Sequence, residues 1–371
     1  MPFKTDEQMY SYWLSSSHAL TPNQTARLIE YAGSAEALFC DHDIIKSAKL
    51  RIKDASKKKL LDRANVDLLE SELDSLNRQG ISITTPSDAD YPELLREIPD
   101  YPRLLYYKGR LERLARTRLA VVGTRFPSYH GEINTRNLCR QLSAAGISII
   151  SGMARGIDTI AAKAALSGGT PTAAVLGCGI DIPYPKENSL LYDDICETGV
   201  VISEYPPGVP PLAENFPPRN RIISGMSQAL FIAEGKLKSG GAISVRNAIE
   251  QNRDVFALPG DISNPLSELP NSLIADGAII VLGAETFYNN LKIAPVENDF
   301  NEKEEKNDIE LDFSEKQIYT LLKRGELTSE QLSEKSGMDI ATVNLTLTML
   351  EIKQAVVRLP GNLFAIACLR Q

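Results

Sequence analysis

The sequence predicts an α/β protein, a doubly wound and mostly parallel sheet with a helical module before it and a winged-helix module after it. Three observations carry that reading. Between Leu119 and Val281, short apolar runs alternate with helix-length segments, and most runs end at a glycine. A polar, acidic stretch at 297–312 lacks apolar periodicity. Beyond it the pattern reads helix, helix, helix, hairpin, the order of a winged helix. The expected domains are therefore 1–78, 79–294, a flexible linker at 295–312, and 313–371.

Residues 1–75 read as helices. Apolar residues recur at helical spacing in Met9–Leu14, Ala26–Tyr31, Ala35–Phe39 and Leu60–Leu76. From Gly80 the period changes. Ile81–Thr85 and Leu104–Tyr107 read as short strands. The regular series then begins with Leu119–Val122 and continues through Ile147–Ile150, Ala173–Leu176, Val200–Ser203, Ala229–Ala233 and Val255–Leu258. Ala278–Val281 closes it. In the last module Ile318, Leu321 and Leu322 make an apolar stripe. Thr328-Ser-Glu-Gln331 opens a second helix that Gly337 ends. Asp339 or Thr342 caps a third. Val356–Arg358 and Leu363–Ala365 flank Pro360-Gly361-Asn362 as a hairpin.

Composition bounds the function. The chain has 371 residues with 43% hydrophobic content, enough for a sizeable core, but only 6% aromatics. No basic leader precedes an apolar run, and no apolar stretch is long enough to span a bilayer. The five cysteines (Cys40, Cys139, Cys178, Cys196, Cys368) are scattered and never spaced C-x-x-C. This argues against a disulfide framework or a zinc site, and points to a reducing compartment, the cytoplasm. The net charge of -8 is unevenly placed. Residues 297–312 hold eight acidic groups against Lys303 and Lys306, whereas residues 101–260 hold 18 Lys/Arg against 13 Asp/Glu. The middle domain is basic, and footprint decides polyanion binding.

Ligands of such a sheet bind beyond the carboxyl ends of its strands. Three loops there suit phosphate. Gly123-Thr-Arg-Phe-Pro-Ser128 offers amides, Thr124, Ser128 and Arg125. Ser151-Gly-Met-Ala-Arg-Gly156 offers a hydroxyl, Arg155, and the amides around Gly152 and Gly156 at a helix start. Ser239-Gly-Gly241 follows Lys236 and Lys238 and opens another helix at Gly240. A fourth segment, Phe216-Pro-Pro-Arg-Asn-Arg-Ile-Ile-Ser224, gathers Phe216, Arg219, Asn220 and Arg221 at the start of an apolar helix. Its ring offers stacking and its guanidinium groups offer bidentate phosphate contacts. Arg125, Arg155 and Arg221 are expected at phosphates, and Ser128, Ser151 and Ser239 donate hydroxyls to them. Phe216 stacks on a base and Asn220 orients a loop. Asp158 reads as a cap or a partner of Arg155. Replacement of Arg125 or Arg221 by Ala is then expected to weaken binding and lower its salt dependence.

These stretches resemble one family, the DNA-processing protein A family (DprA, also called Smf). The resemblance is close over about residues 80–285 and extends to the remainder in layout. It rests on Val121-Val-Gly-Thr-Arg125, Ser151-Gly-Met-Ala-Arg-Gly-Ile-Asp158, Val175-Leu-Gly-Cys-Gly-Ile-Asp181, Tyr184-Pro-Lys-Glu-Asn188, Ser203-Glu-Tyr205, Phe216–Ser224, Arg253-Asp-Val-Phe-Ala-Leu-Pro-Gly260 and Leu273-Ile-Ala-Asp-Gly-Ala278. It implies an extended Rossmann-like domain that binds single-stranded DNA, forms a homodimer and hands the strand to the recombinase RecA during uptake of foreign DNA. It implies no cofactor, and Gly123–Ser128 lacks the G-x-G-x-x-G fingerprint. The helical N-terminus is then SAM-like or helix-hairpin-helix-like. The chain departs from the family pattern at Ala162, where a His is usual, at Ser244-Val245, where Thr-Ala is usual, and near Leu269-Pro270, where a glycine is usual.

Two other functions compete with this one. An enzyme cleaving a nucleotide's N-glycosidic bond would draw on Glu204, Glu234 and Glu250. The sequence shows no paired-carboxylate motif, no metal-ligand cluster and no G-x-S-x-G elbow, and only His18, His42 and His130 as imidazoles. Cys178 between two glycines reads as a small thiol in a tight turn. A winged-helix transcription regulator would need base in its recognition helix, and Asp339–Met349 has no Lys or Arg. The reading is therefore a non-enzymatic single-strand binder with no metal and no membrane association.

Overall fold

The computed structural model describes residues 3–17, 19–293, 311–322, 327–353, 355–359 and 361–366. The linker expected at 295–312 lies outside them apart from Leu311 and Asp312, as do His18, Pro360 and Cys368. The chain divides into two compact units, Met1–Val296 and Glu297–Gln371.

Six helices open the first unit: α1 (Asp6–Ser16), α2 (Pro22–Ala32), α3 (Ala35–Cys40), α4 (His42–Ser47), α5 (Asp54–Leu61) and α6 (Val66–Arg78). Their starts are chemically marked. Thr5, Thr21, Ser34 and Asp41 each accept a main-chain N–H, and Thr21 and Gln24 form a reciprocal box. Trp13 is fully buried and its indole N–H donates to the Leu60 carbonyl at 2.9 Å. The helices do not keep a core to themselves. Trp13, Leu14 and Leu69 share one apolar cluster with Ile83, Tyr106 and Leu176 of the sheet that follows.

That sheet has nine strands: β1 (Ser82–Thr84), β2 (Leu105–Gly109), β3 (Arg118–Val122), β4 (Ser148–Ser151), β5 (Ala173–Leu176), β6 (Val200–Ser203), β7 (Ala229–Ile232), β8 (Asp254–Ala257) and β9 (Ile279–Ile280). Their spatial order is β1-β2-β6-β5-β4-β3-β7-β8-β9. The seven strands from β3 onward pair in parallel, as the alternating pattern predicts. β1 and β2 add an antiparallel edge against β6.

The helices between the strands are α7 (Glu93–Arg96), α8 (Tyr129–Ala144), α9 (Ile157–Gly168), α10 (Ser189–Thr198), α11 (Phe216–Gly225), α12 (Gly240–Glu250), α13 (Glu268–Ala275) and α14 (Ala284–Leu291). They cover both faces. Leu119 and Val121 of β3 pack with Leu138 and Leu142 of α8 and Phe287 of α14. Their neighbours Ala120 and Val122 pack on the opposite side with Ile222 of α11 and Val245 of α12. Period-two burial on both faces is why the strands read as continuous apolar runs. Each fully buried Leu or Val contributes about 1.5–3 kcal/mol. The strand order turns back at β3, with β4, β5 and β6 on one side and β7, β8 and β9 on the other. Loops leaving β3 and β7 therefore diverge, and a crevice opens where they part.

The second unit holds α15 (Phe313–Leu322), β10 (Leu327–Thr328), α16 (Ser329–Ser336), α17 (Ile340–Ile352), β11 (Val356–Leu359) and β12 (Leu363–Ile366). Its antiparallel sheet runs β10-β12-β11 around a core containing Ile318, Leu332, Leu347 and Phe364. Thr328 and Gln331 form the expected capping box, and of the two expected caps of α17 it is Asp339 that accepts the Thr342 N–H. β10, two residues long, is too short to show alternation in sequence. No helix among the described residues is long and apolar enough to cross a membrane.

Candidate functional site

Where the strand order turns back, the loops after β3 and β7, with α9, α11 and α12, line a cleft of about 520 Å³. The loop after β3 is tied to β7. Its Thr124 N–H donates to the Glu234 carbonyl at 2.8 Å. The Glu234 carboxylate, itself buried, accepts the Ser128 N–H at 2.8 Å and the Ser128 hydroxyl. Ser128 Oγ in turn accepts the Gly131 N–H and caps α8. Held at both ends, the loop leaves Arg125 and Phe126 exposed on the cleft.

The loop after β4 supplies the floor. The Ser151 hydroxyl donates to the Val121 carbonyl at 2.7 Å. Asp158 Oδ2 accepts the N–H groups of Gly152 at 3.2 Å and Ala154 at 3.4 Å. Burial pushes the Asp158 carboxyl up to about 6, against the opposing pull of Arg219 and of these hydrogen bonds. Gly156 caps α9 at φ +75°, and a Cβ there would run into the Thr124 carbonyl, so only glycine lets the two loops meet.

α11 brings the ring and the inner cation. Phe216 is half-buried over Gly177, its centroid 5.6 Å from that of Tyr184. Arg219 is only 4% exposed. Its Nη1 donates to the carbonyls of Gly152, at 2.8 Å, and Val175, while its buried Nε has no hydrogen-bond partner. The Gly152 position admits no Cβ, which would overlap that guanidinium. Burial holds the Arg219 pKa below its usual value. Asn220 donates to the Gly240 carbonyl at 3.4 Å and so joins α11 to α12. Ser239 caps α12 through the Ala242 N–H, and the space around Gly240 is open.

The cleft thus gathers Gly123, Thr124, Arg125, Phe216, Arg219, Asn220, Ser239 and Gly240. Other expected groups have different partners. Arg221, expected at phosphate, is buried and paired with Glu204 and Asp100. Ser128 and Ser151 spend their hydroxyls on Glu234 and Val121, and the Gly152 amide is taken by Asp158. Arg155 is exposed and pairs with Glu187 rather than with Asp158. Arg155, Gly156 and Lys238 are not among the residues that line the cleft, and Lys238 is exposed beside it, next to Ser239.

Sequence reasoning gave no role in this site to Phe126 and Tyr184, and read Glu234 only as a candidate acid rather than as the residue that holds the loop. For Phe126 the available signal was an aromatic inside a phosphate-type loop of an aromatic-poor chain. Glu234 gave none, since its role depends on two strands becoming neighbours. Of the candidate catalytic acids, Glu204 is held by Arg221 and Glu234 by Ser128. The Cys178 thiol donates to the Ile182 carbonyl, and burial pushes its pKa up to about 11. Among the described residues no cluster of His, Cys, Asp or Glu suits a metal ion.

Comparison with known proteins agrees with this architecture. The family model for DNA recombination-mediator protein A matches residues 82–292, and that for the DprA winged helix domain matches residues 302–362. Protein Smf of Escherichia coli is 40% identical over 288 residues, covering 75% of each chain. The crystal structure of DNA processing protein A from Streptococcus pneumoniae is 36% identical with a TM-score of 0.66, over 77% of this chain and 97% of that one. A structure of DNA processing protein A from Helicobacter pylori, described by its single-stranded DNA binding mode, is 30% identical with a TM-score of 0.52, over 57% of this chain and 96% of that one. A family match across more than half the chain and a relative alike over three quarters of it lead to one conclusion: the protein belongs to the DNA recombination-mediator protein A family, the DprA/Smf proteins.

Proposed function

We propose that the protein binds single-stranded DNA in the cleft between β3 and β7, and that it acts by binding rather than by catalysis. One observation carries this reading. The cleft combines exposed Arg125, the buried guanidinium of Arg219 in its floor, the open start of α12 and the Phe216 ring. Cations and helix-start amides attract phosphate, and an aromatic face stacks a base without reading its identity. The single-strand binding of the Helicobacter relative supports the same reading.

In its finer form the protein is a cytoplasmic homodimer that passes the bound strand to RecA during uptake and recombination of incoming DNA. The family's description as a recombination mediator supports this. The winged helix is a poor source of DNA contacts. α17 carries no Lys or Arg, exposes Leu345, Met349 and Ile352, and the adjacent Lys353 is engaged by the buried Glu315 at 2.6 Å.

Fluorescence anisotropy on labelled oligo-dT and a matched duplex, across a salt series, tests the central claim. Salt-sensitive binding that prefers the single strand is expected. Equal affinity for the duplex, or none for either, overturns it. RecA filament growth on single strands, with and without the protein, tests the finer claim.

A further inference from the structure

Phe126 lines the cleft beside Arg125 and is 78% exposed, in a chain with 6% aromatics. Of the other strongly exposed apolar side chains, Ile262, Leu190 and Leu282 are aliphatic, and Phe313 starts α15 in the second unit; none of the four lines the cleft. Nor is Phe126 a by-product of a frayed loop. Its own N–H donates to the Thr124 hydroxyl at 3.3 Å. Pro127 restricts its backbone, and Ser128 is clamped by Glu234. An anchored turn therefore presents a whole ring to solvent. Phe216 differs, because Tyr184 and Gly177 already occupy part of its surface. Phe126 has no ring partner among the described residues.

We infer that Phe126 is a second base-stacking platform, so that the cleft takes at least two successive nucleotides of a single strand, with Arg125 at the phosphate between them. This rests on the single-strand reading above and deepens it. A base is the occupant that the surroundings favour. The ring lies one residue from an exposed guanidinium and shares its cleft with a helix start open to anions, so whatever covers it arrives joined to phosphate.

The test compares wild type, Phe126→Ala, Phe126→Trp and Phe216→Ala on oligo-dT and on an abasic strand of equal length, at two salt concentrations. Phe126 is exposed, so its variants fold. Phe126→Ala is expected to weaken oligo-dT binding about 5- to 150-fold. It should leave the abasic strand's affinity and the salt slope alone, and Phe126→Trp should retain binding. Unchanged oligo-dT affinity in Phe126→Ala, with loss in Phe216→Ala, overturns the inference and leaves the single-strand reading standing. Equal loss on both strands also overturns it, because the residue would then serve the loop or a protein contact. Failure of wild type to bind oligo-dT overturns both.

Discussion

One nitrogen of the Arg221 guanidinium, Nη2, donates to both carboxylate oxygens of Glu204, at 2.8 and 3.0 Å, while its Nε meets Asp100 at 3.0 Å. The pair joins α11 to the end of β6, and the arginine side chain is 8% exposed. Arg219, two residues earlier, turns the other way into the floor of the cleft. A segment that looks like a row of phosphate contacts is therefore partly an internal tie.

Arg221→Ala is accordingly a stability variant. It strands Glu204, whose side chain keeps 17% exposure, and is expected to cost about 3 kcal/mol. Denaturant titration measures the loss, and the salt slope of DNA binding in the folded fraction should match wild type. A lowered slope without loss of stability would return Arg221 to the binding surface.

Arg125→Ala should do the reverse. The side chain is exposed and makes no ion pair among the described residues. Unfolding free energy should stay within about 0.5 kcal/mol of wild type. Binding to oligo-dT should weaken, with a salt slope lower by about 0.7 for the single phosphate lost. An unchanged slope would refute the contact.

Glu234→Ala separates charge from position. Losing a carboxylate near a polyanion site would, by charge alone, tighten binding. The variant also strips the Ser128 N–H of its acceptor, costing about 1–3 kcal/mol, and frees the loop that carries Arg125. Weaker binding is expected. Tighter binding would show that Glu234 does not hold the loop in its working position.

Asp158 gives a pH signature. Its carboxyl sits near 6 in the folded protein, above the ordinary value of about 3.9. The folded state thus holds a proton that the unfolded chain releases. The associated stability is full below about pH 4 and is lost as pH rises through about 6. Asp158→Asn lacks this loss. The melting temperature of the variant relative to wild type should climb between pH 4 and 6, then level off. A constant or falling difference would contradict the shift.

The parallel strands were legible because strands buried on both faces must be apolar throughout, as Leu119–Val122 and Ala229–Ile232 are. β1 and β2 were legible as the short strands Ile81–Thr85 and Leu104–Tyr107, but not their antiparallel pairing at the edge, and the two-residue β10 left no periodic trace. The loops were legible as phosphate-type from glycine, hydroxyl and cation content, and several of their residues do meet on one cleft. What the sequence hid was which polar groups turn inward. Arg219 precedes Ile222 and Ile223 by three and four residues, the spacing of one helix face, and that spacing was the available clue to its burial. Ser128 and Ser151 offered no such clue, since their acceptors on Glu234 and Val121 are brought close only by the sheet.

The division between inward and outward cations bears on how this protein can change over generations. Arg219 and Arg221 are fastened into the interior, so most replacements there endanger folding itself. Arg125, Phe126 and Lys238 are exposed, and exposed positions of this kind usually contribute little to stability. Substitutions at those three positions can drift, and with them the strength and footprint of the DNA binding proposed for the cleft, while the scaffold beneath stays intact.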